Sequence, residues 1–74
     1  MGWRLSDVKR VAEQHGVRFG TRGTHSIDAV LGDKLAPLPW HSGDKTEVEV
    51  RDIRSFCRKL GLDPNAFLDE LRGR

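Results

Sequence analysis

The sequence predicts an α+β fold in the order α-β-β-β-α: a three-stranded antiparallel sheet with helices on one face, followed by a short C-terminal helix. Three observations carry this. Apolar residues recur at helical spacing near both ends of the chain, which is the mark of an amphipathic helix. Between those stretches lie three short extended runs separated by glycine-rich turns. At 74 residues the chain holds one domain with a thin core, so packing both helices on one sheet face is the economical way to bury the two stripes.

The first helix is read from Leu5, Val8, Val11 and Ala12 on one face, with Lys9, Arg10, Glu13 and Gln14 on the other. Ser6-Asp7 supplies a capping hydroxyl and a first-turn acid that suits the helix dipole. Gly16 ends the helix as its C-terminal glycine, and His15 beside it is expected to interact with the last carbonyls. Val17-Arg18-Phe19-Gly20 alternates as a half-buried strand does, and after a glycine-rich turn Ser26–Leu31 returns. Gly32-Asp33-Lys34 makes the next turn, and Leu35–Trp40 is the third extended piece. Its prolines, Pro37 and Pro39, cannot donate to a ladder, so it lies at an edge or is bulged. His41–Lys45 is a polar loop.

From about Val48 to Leu60 the stripe is Val50, Ile53, Phe56, Cys57 and Leu60, opposed by Arg51, Asp52, Arg54, Arg58 and Lys59. Thr46-Glu47-Val48-Glu49 has capping-box spacing, which starts this helix there or one turn later. Gly61 stops it. Asp63-Pro64 then gives an N-cap and a first-turn proline to a helix carrying Phe67, Leu68 and Leu71.

The formal net charge is +2, but it is unevenly spread. Residues 1–25 carry five Lys/Arg against two acids, 26–50 two against five, and 51–74 six against four. Basic ends around an acidic middle suit a weak phosphate-binding face and not a strong duplex-DNA binder. One cysteine, Cys57, excludes an intramolecular disulfide and a Cys-cluster zinc site, and its place on the apolar stripe makes it a small core residue. No apolar run reaches membrane-spanning length and no signal peptide is visible, so a soluble, cytoplasmic protein is expected.

The chemistry-bearing stretch is Gly23-Thr24-His25, set in Phe19-Gly20-Thr21-Arg22-Gly23-Thr24-His25-Ser26-Ile27. Glycine permits close backbone approach, histidine titrates near neutrality, and Arg22 offers a planar fork for a phosphate. Together they suit an acid–base site on a phosphate polymer. The plainer alternative is an ordinary tight turn with an exposed histidine.

Gly23-Thr24-His25, then Leu38-Pro39-Trp40-His41-Ser42-Gly43, then Ile53-Arg54-Ser55-Phe56 on a helix, resemble the HicA family of toxins. Arg22 stands where that family usually has a basic residue, and Gly61-Leu62-Asp63 through Phe67-Leu68 matches its closing segment. The resemblance runs from about Leu5 to Leu71, and residues 1–74 are read as a single HicA-like domain. It implies a fold similar to double-stranded-RNA-binding domains, an mRNA-cleaving activity, and a partner antitoxin of the HicB type. The family's catalytic histidine falls on His25, and Arg22, Gly23, Thr24 and His41 fall where RNA would be bound.

In such a reaction the ribose 2′-hydroxyl attacks the adjacent phosphorus. A base takes its proton, an acid protonates the leaving oxygen, and cations hold the phosphate, with no metal or other cofactor required. His25 is the expected acid or base. His41 is either a second proton carrier or a hydrogen-bonding residue, and Trp40 either stacks on a base or belongs to the core. Lys9, Arg10, Arg18, Arg54, Arg58 and Lys59 form solvated faces, of which two or three would line an RNA path. One departure stands out: the strand after His25 reads Ser26-Ile27-Asp28-Ala29, with an acid where the family often has basic and aromatic residues. The alternative function is therefore a non-catalytic or degenerate module that holds RNA or protein by shape and charge.

Overall fold

In a computed structural model the chain is described over residues 2–21, 26–40 and 42–73, the side chains of Thr21 and Asp44 excepted. The elements run β1 (Gly2–Arg4), α1 (Leu5–Gln14), β2 (Arg18–Thr21), β3 (Ser26–Leu31), β4 (Lys34–Pro39), a 3₁₀ turn (Gly43–Lys45), β5 (Glu47–Glu49), α2 (Val50–Leu60) and α3 (Pro64–Leu71). The expected α+β layout is present: an antiparallel sheet of order β2-β3-β4 with the helices on one face.

Period-two alternation sets the two faces of that sheet. Ile27 and Ala29 on β3, with Ala36 and Leu38 on β4, are buried beneath the helices. The opposite face carries Arg18, Val30 and Leu35 in one row and Gly20, Asp28 and Pro37 in the next. The β3–β4 hairpin closes on the two-residue turn Gly32-Asp33, where Gly32 has φ +64, so Lys34 already belongs to the strand. Glycine at the first turn position is what a type II′ turn requires. This turn makes Leu31 and Lys34 a hydrogen-bonded pair, and alternation then directs Ala36 and Leu38 to β3. Pro37 and Pro39 consequently fall on the free edge, where a missing N–H costs the ladder nothing.

The core is continuous through all layers. Leu5, Val8, Val11 and Ala12 of α1 share one buried cluster with Ile53, Phe56, Cys57 and Leu60 of α2 and with Phe67 and Leu68 of α3. Phe56 and Phe67 pack edge to face, ring centroids 5.8 Å apart, which ties α3 to α2. α1 ends in a Schellman motif: Gly16, at φ +87, donates to the Glu13 carbonyl, and Val17 N–H donates to that of Ala12. α3 begins as its sequence predicts, with the Asp63 carboxylate accepting from Asn65 N–H at 3.0 Å.

Four local expectations are corrected. Residues 2–4 and 47–49 form a second, two-stranded sheet, pairing Gly2 with Glu49, Trp3 with Val48 and Arg4 with Glu47. Strands of three residues are too short to show a period, and their pairing joins segments far apart in sequence. α1 starts at Leu5 without a side-chain cap, because the Leu5 N–H is satisfied across the fold by the Thr46 carbonyl at 2.8 Å. The Thr46–Glu49 capping box is replaced one turn later, where Glu49 N–H donates to the Asp52 carboxylate at 3.2 Å. The His15 backbone N–H donates to the Ala12 carbonyl, but its side chain turns to α3. Its Nε2 lies 2.6 Å from Glu70 Oε2 and its ring 6.0 Å from that of Phe67, so it joins α1 to α3.

Cys57 is buried, and that burial, helped by the negative charge of Asp63, pushes its thiol up from 9.0 to about 11. The native state thus holds the thiol proton more tightly than the unfolded chain does. The stabilisation is complete below pH 9 and disappears as pH rises from 9.0 to about 11. A two-unit shift corresponds to about 3 kcal/mol. Urea unfolding across that window should show a steeper loss of stability for the wild type than for Cys57→Ala. Parallel pH profiles for the two proteins would show that Cys57 titrates as it does in the unfolded chain.

Candidate functional site

One end of the main sheet gathers the segments to which the chemistry was assigned. Thr21, the last residue of β2, pairs with Ile27, and Ser26, the first of β3, pairs with Pro39, the last of β4. Residues 22–25 join Thr21 to Ser26, and His41 follows Trp40 just beyond β4. The five expected site residues, Arg22, Gly23, Thr24, His25 and His41, lie outside the described residues. What the structure supplies is the frame from which they depart: the ends of β2 and β4 on either side of the start of β3, at one end of the sheet.

Trp40, whose role was open between base stacking and core, is half-buried and packs against the core. Beyond it the chain is held by Thr46, which the sequence offers only as a helix cap. Thr46 is 1 % exposed, the one buried polar side chain among the described residues. Its Oγ1 accepts from Ser42 N–H at 2.9 Å, its N–H donates to the Gly43 carbonyl at 3.1 Å, and its carbonyl accepts from Leu5 N–H. One threonine therefore fastens the turn after His41 to the start of α1. Its two bonds to Ser42 and Gly43 are local, whereas its bond to Leu5 depends on the tertiary fold.

Thr46→Val keeps the shape but leaves Ser42 N–H without its acceptor in a partly buried setting. A lost partner of this kind costs about 1–3 kcal/mol. Thermal unfolding should register that loss, and amide exchange at Ser42 should accelerate more than at Leu5. Unchanged exchange at Ser42 would mean that the hydroxyl does not hold the turn.

The cations divide into two groups. On α1 and the C-terminal side they are engaged: Arg10 lies 3.7 Å from Asp7, Lys9 Nζ sits 5.9 Å from the centre of the Phe19 ring, and Arg72 lies 3.8 Å from Asp69 and 5.9 Å from the Trp3 ring. On α2, Arg51 lies 3.3 Å from Glu49, whereas Arg54, Arg58 and Lys59 are exposed. Arg18 is exposed on the uncovered sheet face, and Asp28 stands half-buried on that face between Gly20 and Pro37. Leu35, 50 % exposed, is the one large exposed hydrophobic among the described residues.

Lys34, placed in a turn by its sequence, begins β4, and a Cβ added to Gly61 would come within 2.8 Å of its Nζ. Its ammonium group thus rests against the C-terminal end of α2, where the helix dipole favours a cation. Among the described residues no group of three or more His, Cys, Asp or Glu side chains gathers to hold a metal ion, and no helix is long and apolar enough to cross a membrane. Comparison with protein-family models, curated proteins and solved structures found no match for this chain.

Proposed function

We propose that this protein is a small endoribonuclease of the HicA type, a toxin held in check by a partner antitoxin, that cleaves RNA with His25 as general acid or base. The observation that carries this reading is the position of Gly23-Thr24-His25 in the chain, on the connection between β2 and β3, at the end of the sheet that also leads to His41. A histidine, an arginine and a glycine on the connection between two paired strands are the ingredients that internal attack on a phosphodiester needs: a proton carrier, a charge clamp and backbone that allows close approach. Arg22 is the phosphate clamp in this scheme, Gly23 and Thr24 give room and polar contact, and His41 is the second group at the same end.

Asp28 favours a second reading, since it places an acid in the middle of the uncovered sheet face. On that reading the chain binds RNA or protein without cleaving it. The two readings separate in one assay. The purified protein, incubated with mRNA in excess EDTA, is expected to cut and leave 2′,3′-cyclic phosphate ends, because the nucleophile belongs to the substrate. Cleavage that appears only on adding back a metal would overturn the metal-independent mechanism. Retention of intact RNA by a protein whose induced expression does not arrest growth would establish the binding module instead.

A further inference from the structure

We infer that the outer flank of α2, with Lys34 at its end, is a track for the phosphate backbone of RNA leading to the end of the sheet where residues 22–25 depart. The inference rests on the RNA-cleaving reading above and assigns that site its route of substrate approach.

The geometry of α2 defines the track. Its buried positions Ile53, Phe56, Cys57 and Leu60 fix the inward side. At 100° per residue, Arg51, Arg54 and Arg58 then follow one another along a single outward flank. Gly61 is the next position on that flank, and there the Lys34 ammonium lies against the helix. Arg51, Arg54, Arg58 and Lys34 thus form one row about 15 Å long at 1.5 Å per residue. The Arg51 side chain is 84 % exposed, and Arg54 and Arg58 are exposed with no ion pair to a described residue. Lys59 lies on the other flank, toward the side on which Phe56 meets Phe67 of α3.

The row also has a direction. Lys34 marks the turn end of β4, and α2 runs back from it, so that its first residues follow β5 and the Thr46 anchor next to the far end of the sheet. A row of like charges 15 Å long, according to the helical rise, matches the spacing of several consecutive phosphates on one strand. A protein partner would be expected to interleave apolar contacts with charge, and Leu35, the one large exposed hydrophobic among the described residues, follows Lys34 on the opposite face of the sheet. Charge complementarity therefore selects a polyanionic backbone as the occupant.

The test measures binding of fluorescein-labelled 2′-O-methyl RNA, which lacks the internal nucleophile and stays intact, over a range of salt concentrations. Arg54→Gln/Arg58→Gln should weaken binding about tenfold at low salt and lower the slope of log K against log salt by ~1.4, at about 0.7 per single-strand phosphate contact. Arg58→Gln and Lys59→Gln remove equal charge from adjacent positions on opposite flanks. The first should carry most of the loss and the second little. Equal effects of these two variants would reduce the track to net charge and overturn it, as would a double variant with the wild-type slope. Loss of binding to poly-L-glutamate with RNA binding unchanged would make the row a protein-docking surface and equally overturn it. Cleavage of unmodified RNA by the wild type, read in parallel, separates the two claims. Intact cleavage with an unaltered slope sinks the track alone, and an altered slope without cleavage sinks the nuclease reading alone.

Discussion

His25→Ala is expected to lower RNA cleavage by about 10²–10⁴-fold, which is roughly 3–5 kcal/mol of barrier. In the proposed mechanism the substitution removes the proton carrier and leaves Arg22, Gly23 and every residue of the described core unchanged. On the sequence expectation of a solvent-exposed, glycine-rich turn, such a change alters stability by about 0.5 kcal/mol or less. The variant should therefore unfold at nearly the wild-type temperature, bind RNA through its cations as before, and no longer arrest growth when expressed without its partner. Cleavage compared at matched thermal stability decides the matter. Equal rates would remove His25 from the mechanism, and an unfolded variant would make it a structural residue.

Phe56→Ala should have the largest effect on stability. Phe56 is 1 % exposed, lies on the inner side of α2 and meets the Phe67 ring edge to face. Truncating a buried phenylalanine costs about 3–5 kcal/mol through lost transfer energy and the cavity left behind. For a chain of 74 residues, a native stability of about 0.05–0.15 kcal/mol per residue gives a total of roughly 4–11 kcal/mol. The variant would forfeit about a quarter of that or more. Urea titration should show a midpoint far below that of the wild type, with Phe56→Leu in between. A loss under about 1 kcal/mol would mean that the neighbours collapse into the space and that α3 does not depend on this contact.

The two glycine stops, the Asp63-Pro64 helix start and the edge position of β4 were legible because each rests on chemistry within a few residues. Gly16 and Gly61 adopt φ +87 and +77, which side-chain-bearing residues rarely do. Pro37 and Pro39 have no N–H to give, so an edge strand is where they fit. The buried face was legible for the same reason, since the 3.6 and 2.0 periods of helix and strand select which residues turn inward.

The candidate chemistry was legible only as residue types in a row. Gly23, Thr24 and His25 show what a site could be made of, and the sheet shows which end they leave from.

What the tertiary structure decided involves partners distant in sequence. The pairing of β1 with β5 brings Gly2 to Glu49, and a Cβ on Gly2 would lie 2.7 Å from the Val48 carbonyl, so close approach explains the glycine. His15 meets Glu70 across 55 residues, Thr46 anchors Leu5, and Lys34 reaches the end of α2. Local propensity carries no information about such pairs, because their energy exists only once the intervening chain has folded. The sequence by itself determined the three helices, the three strands of the main sheet and which of their faces are apolar. Packing alone decided where α1 begins, what holds the turn after His41, and which of the cations fall into one row.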